Sequence, residues 1–353
     1  MIHKKTIISN LSMVGKFLAQ FQNDEYIKSN DVINNQFFFD EFIGKIKQSE
    51  QKNKWFTKNN ICYALKHWSN LLQKDKLEFW LSKYKAPVKK PKDIFIIMAG
   101  NIPLVGFHDF ISTLVSGHKM TIKLSSNDLY LLPFVASYIQ SLNPDLKSVI
   151  KFKKNKIDNF DAVIATGSNN TARYFETYFK NKPSIIRKNR NSIAVLKGDE
   201  SYNELNGLAE DIFRYFGLGC RNVSKIFIPE GYDLNVFFKA IYKWKSIIKH
   251  PKYLNNYDYN KAVYLMSEFN IIENGFLMLK KDSGYSSPLA TIFYDYYSSL
   301  DELRKKINLE KNKVQCVVSK GFINNEIEFG KSQLPNLSDY SDGIDPVDFL
   351  LKI

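Results

Sequence analysis

The sequence predicts an α/β protein of two doubly wound units behind an N-terminal helical region, and three observations carry this. Residues 1–90 mix apolar and charged positions at helical spacing. From Asp93 the texture changes to short apolar runs bounded by Gly, Ser, Asn and Asp, alternating with longer helical patterns. After Val195 that alternation begins again, and 353 residues are too many for one compact unit of usual size.

Helical spacing is clearest over Phe37–Ile46 and Ile61–Trp80, and residues 1–90 are expected to form a cap or docking layer. Strands are expected at Ile94–Met98, Lys119–Leu124, Ala162–Ala165 and Ile193–Leu196. These runs have the near-continuous apolar character of strands buried on both faces of a parallel sheet. Crossover helices over Val105–Ser116, Asp128–Ser141 and Asn169–Phe179 complete a βαβαβ order. The second unit is expected to carry a helix over Tyr202–Tyr215, a strand Ser224–Ile228 and a long helical region Leu234–Phe269. Two further strands are expected near Leu289–Tyr294 and Lys313–Ser319. The expected organisation is a helical region 1–90, a first α/β domain 91–195 and a second 196–353, whose tail can return to the first.

Composition narrows the class. A hydrophobic fraction of 44% marks a folded chain, and three cysteines, far apart and outside any CxxC pair, argue against a disulfide framework or a zinc site. A reducing cytoplasm is expected. The start, Met1-Ile2-His3-Lys4-Lys5, resembles a signal peptide only faintly, since Lys16 interrupts the stretch that follows; it is read as mature protein. The longest apolar region, Ile94–Gly117, is broken by Asn101, Pro103, His108 and Asp109, so no membrane span is expected. The net charge of +14 is read as solvated lysines rather than a nucleic-acid surface, because runs such as Lys85–Lys92 and Lys151–Lys156 sit beside turn residues without a recognised module. A basic surface also suits the phosphates of a nucleotide or coenzyme A, or an acidic carrier protein.

Cys220 lies in Phe216-Gly217-Leu218-Gly219-Cys220-Arg221-Asn222, where two glycines let the backbone approach a ligand and Arg221 supplies positive charge, as a reactive thiol requires. Cys316, in Val314-Gln315-Cys316-Val317-Val318, reads as a small hydrophobe. Three other loops leave strands at their carboxyl ends, where open parallel sheets place ligands. Asn101, in Ala99-Gly100-Asn101-Ile102-Pro103, is either a turn residue or an amide donor to an oxyanion. Lys123 is either a solvated edge lysine or a reach to sugar hydroxyls and phosphates. Thr166-Gly167-Ser168 ends a strand and opens a helix, which serves an anion or simply a helix cap. His108, spaced helically with Phe107 and Phe110, reads as a buried or interface histidine, and His118 as a loop residue.

The order of these loops resembles the aldehyde dehydrogenase superfamily, and within it the bacterial fatty acyl-CoA reductases of the type that makes long-chain aldehyde for bioluminescence. The resemblance rests on the Asn101 and Cys220 loops, Leu114-Val115-Ser116-Gly117, Ala165-Thr166-Gly167-Ser168 and the tail Asp339-Tyr340-Ser341-Asp342-Gly343, and spans about residues 90–353. It implies an aldehyde dehydrogenase-like fold with a nicotinamide cofactor domain over 91–195 and a catalytic domain over 196–353. It implies that Cys220 attacks an acyl thioester, that Asn101 and the Cys220 amide hold the oxyanion, and that Lys123, Ser126, Thr166, Gly167 and Ser168 bind the cofactor. Hydride transfer then releases an aldehyde. Acyl-CoA or an acyl carrier is the implied substrate, with an acyl-protein synthetase and a homo-oligomer as implied partners.

Three departures refine this. The Glu-Leu-Gly-Gly segment whose glutamate activates water in hydrolytic relatives corresponds to Ile185–Ser192, which has no carboxylate. Ser126 stands where NAD-specific relatives often carry a glutamate, so NADPH is expected, with NADH allowed. The Glu-x-Phe-Gly-Pro segment corresponds loosely to Gly284-Tyr285-Ser286-Ser287-Pro288, without its carboxylate, and Asp282 is out of register. Two other classes stay open: a cysteine acyltransferase or thioesterase without redox chemistry, and an inactive basic binding module on the same fold.

Overall fold

A computed structural model describes residues 3–84, 87–154 and 159–353. Met1, Ile2 and parts of the Lys85–Lys92 and Lys151–Lys156 runs lie outside the described residues. The chain divides into two units, Met1–Asn189 with Asn336–Ile353, and Arg190–Pro335.

In the first unit four helices, α1 (Lys4–Ala19), α2 (Asn35–Lys52), α3 (Lys58–Leu71) and α4 (Lys74–Ser82), precede the first sheet. Its strands are β1 (Asp93–Ile97), β2 (Lys119–Lys123), β3 (Ile150–Phe152), β4 (Ala162–Thr166) and β5 (Ser184–Arg187), all parallel in the order β3-β2-β1-β4-β5. Between them run α5 (Phe107–Ser116), α6 (Leu131–Leu142) and α7 (Asn169–Tyr178). The period-two alternation of strand side chains splits the core. Ile94 and Ile96 face a core shared with α1 to α6, whereas Phe95, Val163 and Ala165 face Phe175 and Phe179 of α7. Helices α1 to α4 therefore share the sheet's own core: Phe17 stacks on Tyr138 at 4.3 Å and Phe42 on Phe134 at 5.1 Å. The C-terminal tail is latched to the same helices, with Trp80 Nε1 donating to Tyr340 Oη at 3.0 Å and Tyr84 Oη to Asp345 at 2.7 Å.

His118 lies in the loop between α5 and β2, as read, but is buried there at 1% exposure. The Lys92 amide donates to its Nδ1 at 3.0 Å, which forces the proton onto Nε2, and Nε2 donates to the Leu350 carbonyl at 2.8 Å. Both bonds need the neutral ring, and burial holds its pKa below the ordinary value of 6.5. Because the folded pKa is depressed, the unfolded chain binds more protons below about pH 6.5, so stability falls as pH drops through that region and is complete above it. Denaturant midpoints measured between pH 5 and 8 are expected to decline more steeply on the acid side for the native chain than for His118→Gln. Parallel profiles would remove His118 from the account.

In the second unit the sheet is formed by β6 (Asn191–Val195), β7 (Val223–Pro229), β8 (Ile271–Glu273), β9 (Met278–Lys281), β10 (Thr291–Tyr297) and β11 (Val314–Val318), in the order β11-β6-β7-β10-β9-β8. Only the β8–β9 pair is antiparallel. The strand expected to close the first domain is β6, which pairs with β7 and β11, so the chain changes sheets at Arg190 rather than near residue 196. Helix α8 (Tyr202–Phe213) starts at a capping box formed by Ser201 and Glu204. The expected long helix over Leu234–Phe269 is instead α9 (Leu234–Ile241), a 3-10 stretch Tyr242–Lys249 and α10 (Pro251–Met266). Pro251 has no amide hydrogen to continue a helix and restarts one at its first position. Helix α11 (Leu300–Leu309) precedes β11, and α12 (Pro346–Lys352) packs on α5 in the first unit. No helix among the described residues is long and apolar enough to cross a membrane.

Candidate functional site

In the first unit, the strand order puts the topological switch between β1 and β4, the crevice where doubly wound sheets bind ligands. The loops expected to carry chemistry leave the sheet at this end. The Asn101 loop follows β1 and lies against the turn after Lys123: a Cβ built on Gly100 would sit 2.7 Å from Ser125 Cβ, so only glycine permits this approach. Asn101 is half-buried, and Lys123 and Ser126 are exposed. The loop is shaped by a residue the sequence reading placed in a helix. Helix α6 begins at Leu131, not Asp128, and the buried Asp128 carboxylate instead accepts the Leu104 amide at 3.1 Å. Leu104 stands at φ 57°, a strained value for a side-chain-bearing residue, so Asp128 braces the bend three residues after Asn101. Burial pushes the Asp128 pKa up to about 6.

Thr166 ends β4, and Gly167 and Ser168 form the turn into α7. A Cβ on Gly167 would meet Thr171 at 3.0 Å and Phe175 at 3.2 Å, so this glycine keeps open a cradle that any side chain would fill. Ser168 is the N-cap, its Oγ accepting the Thr171 amide at 3.3 Å. A glycine cradle, the amino end of a ten-residue helix and an exposed lysine beside the switch point fit a dinucleotide.

The segment corresponding to Glu-Leu-Gly-Gly overlaps the end of β5, whose last residue, Arg187, turns inward to a buried ion pair with Asp109 of α5. His108, next to Asp109, is committed to structure: its Nε2 donates to the Leu337 carbonyl at 3.0 Å, and burial depresses its pKa.

Cys220 belongs to the second unit, half-exposed in a turn that follows α8. Three successive residues, Tyr215, Phe216 and Gly217, have left-handed φ of 54°, 58° and 79°. Two of them carry side chains, a local strain of about 1–3 kcal/mol each that the surroundings must offset. Asn222, 2% exposed, supplies the anchor: its Nδ2 donates to the carbonyls of Asp211 at 3.0 Å and Arg214 at 2.8 Å, and its Oδ1 accepts the Gly219 amide at 2.8 Å. One buried amide thus ties the end of α8 to the residue preceding Cys220. Ser192 of β6 fixes the other side, donating to the Cys220 carbonyl at 3.0 Å and lying 3.0 Å from Cys316 Sγ. Burial pushes the Cys316 thiol up to about 11, so it stays protonated at neutral pH. Behind the turn a cavity of about 50 Å³ is lined by Ile212, Phe216, Gly217, Tyr253 and Leu289. A ligand pocket needs several hundred Å³, so this void serves loop packing rather than an alkyl chain.

The Gly284–Pro288 segment lies in the same unit. Asp282 Oδ1 accepts the Gly284 amide at 2.8 Å while its other oxygen pairs with Lys280 at 2.5 Å, and Ser224 Oγ donates to the Tyr285 carbonyl at 2.6 Å. Asp282 is therefore engaged in shaping its own turn. Asn222 and Ser192 were not singled out from sequence; Asn222, two residues after a Gly-flanked cysteine, carried a local signal, whereas Ser192, 28 positions before it, carried none.

Two doubly wound units, one with a dinucleotide-type crevice and one with a glycine-flanked cysteine, define an aldehyde dehydrogenase fold. Solved structures agree. Aldehyde dehydrogenase 21 from Physcomitrella patens superposes over 100% of this chain and 84% of its own, with a TM-score of 0.67 and 10% identity. The Bacillus cereus aldehyde dehydrogenase in complex with NAD+ covers 89% of this chain and 71% of its own, with a TM-score of 0.60 and 12% identity. The chain itself belongs to the acyl-CoA reductase (LuxC) family, whose profile matches residues 2–241. That match includes the N-terminal helices, which the sequence resemblance left out, and ends in α9. A curated relative, the long-chain acyl-protein thioester reductase of Aliivibrio fischeri, is 21% identical over an alignment of 324 positions that covers 78% of this chain. The chain spans 66% of that relative's length.

Proposed function

We propose that this chain reduces a long-chain acyl thioester to the aldehyde with a nicotinamide cofactor, through an acyl group carried on Cys220. The observation that carries this reading is the acyl-CoA reductase family match, which runs through both the Asn101 loop and the Cys220 turn. Cys220 attacks the thioester carbonyl as thiolate, a tetrahedral oxyanion forms, and its collapse breaks the old carbon–sulfur bond and expels the donor thiolate, which takes up a proton. The Cys220 amide donates to that oxyanion, a role the family resemblance also gives to Asn101. Asp128 holds the bend of the Asn101 loop.

Lys123, Ser126, Thr166 and Gly167 would hold the cofactor, with Ser168 presenting the α7 amides to its phosphates. A nicotinamide bound there supplies the hydride that releases the acyl group as aldehyde. The segment Ile185–Ser192, which corresponds to the one that holds a water-activating glutamate in hydrolytic relatives, has no carboxylate, and its Arg187 is drawn inward by Asp109, so the acyl-enzyme is spared general-base hydrolysis. Ser126 brings no charge against a 2′-phosphate, which favours NADPH. The Aliivibrio fischeri relative is a long-chain acyl-protein thioester reductase, which supports a protein-borne acyl donor beside coenzyme A, and a thiol nucleophile suits a reducing, cytoplasmic setting.

Single-turnover oxidation of NADPH and NADH with a long-chain acyl-CoA tests the reading. One aldehyde per oxidised cofactor, faster with NADPH, is expected. A folded protein that oxidises neither cofactor with any acyl thioester would overturn it.

A further inference from the structure

From Leu234 to Tyr257 the chain contains five lysines, Lys239, Lys243, Lys245, Lys249 and Lys252, and no carboxylate. All five are exposed, spread over the end of α9, the 3-10 stretch and the first turn of α10. The ion pairs among the described residues involve none of Lys239, Lys243, Lys245 and Lys249. Folding gains little from this arrangement. Like charges at this density repel, and Lys252 sits at the amino end of α10, where the helix dipole disfavours a cation and no acidic residue stands in the first turn.

The same segment is built onto the Cys220 turn. His250 packs on Phe216 at 4.4 Å between ring centroids, Trp244 stacks on Phe213 at 5.5 Å, and Arg214 lies 5.3 Å from the Trp244 ring. Phe216 is one of the left-handed residues ahead of Cys220. The lysines thus face solvent from an element whose inner side holds the thiol's approach. Most of it lies past residue 241, beyond the family match.

We infer that Lys239, Lys243, Lys245 and Lys249 form a docking surface for an acidic protein that carries the acyl thioester to Cys220. The inference rests on the reductase reading and adds the donor's charge and its landing place. A protein fits better than a single coenzyme: the four cations are spread along the end of α9 and the whole 3-10 stretch, matching an extended acidic surface rather than one phosphate cluster. Tyr242, 54% exposed with Lys245 4.6 Å from its ring, adds apolar area within the charged field.

The test compares the native chain with the quadruple variant K239E/K243E/K245E/K249E and its arginine counterpart. Substrates are a holo acyl carrier protein bearing a long-chain acyl thioester, the same acyl group on coenzyme A, and on pantetheine. The glutamate variant is expected to raise KM for the carrier about tenfold or more and to lose its salt dependence, with pantetheine turnover unchanged and the arginine variant native-like. Equilibrium binding of fluorescently labelled carrier, which needs no turnover, is expected to weaken in parallel. Unchanged carrier KM and binding would overturn the inference, as would a KM increase confined to acyl-CoA. Failure of the native chain to reduce even the pantetheine thioester would instead count against the reductase reading, and the binding measurement would still decide the docking surface.

Discussion

Cys220→Ala is expected to fold normally and to lose aldehyde formation by a factor on the order of 10⁴ or more, the scale on which removing a covalent nucleophile acts. The turn does not depend on the sulfur. Asn222 holds the backbone from Asp211 to Gly219, and Ser192 bonds the Cys220 carbonyl, which alanine retains. Intact-mass measurement after mixing with acyl-CoA in the absence of reductant is expected to show one added acyl group on the native chain and none on Cys220→Ala. Cys316→Ala supplies the contrast. Its thiol sits near the same loop but is pushed up to about 11 by burial, so it offers almost no thiolate at neutral pH, and the variant is expected to acylate like the native chain. Aldehyde formation at the native rate by Cys220→Ala, or acylation that vanishes with Cys316 instead, would sink the assignment.

The difference between those two thiols was legible in the sequence because it is local: glycines flank one and β-branched residues the other. The central strands were legible for a related reason. Inside their sheets, β1, β4, β6 and β7 each hold three or more consecutive apolar residues, whereas the edge strands β3 and β5 carry Lys151, Ser184 and Arg187 and passed for loop. Break points within a helical pattern were harder. Nothing in the apolar spacing of Leu234–Phe269 distinguishes an α-helix from a chain that tightens to 3-10 at Tyr242 and restarts at Pro251. Among site residues, those that act by type and position stood out, and those that act through long-range bonds to backbone did not. Asn222 reaches carbonyls eight to eleven positions back, which come within range only after the chain reverses through Tyr215 and Phe216. Asp128 reads as a helix start until the tertiary fold brings the Leu104 amide to it. His118 follows a glycine and looks like turn, yet its two ring nitrogens join the chain ahead of β1 to α12.

Asp109→Ala is expected to destabilise the first unit by about 3–5 kcal/mol, because it leaves the Arg187 guanidinium buried opposite a methyl group. The side chains are 4% and 10% exposed, so water cannot replace the lost carboxylate without opening the contact between α5 and the end of β5. For a unit of this size that loss corresponds to a fall of about 6–20 °C in its thermal midpoint. Calorimetry of the native chain and the variant measures it. The pair's value lies in mutual compensation, so Asp109→Leu with Arg187→Met, which removes both charges and keeps the volume, is expected to recover most of the stability. The double variant also separates fold from chemistry. It introduces no carboxylate where hydrolytic relatives activate water, so thioester hydrolysis should stay at the native background while the thermal midpoint returns. A double variant no more stable than Asp109→Ala alone would mean that the ion pair, rather than its compensation, holds β5 in place.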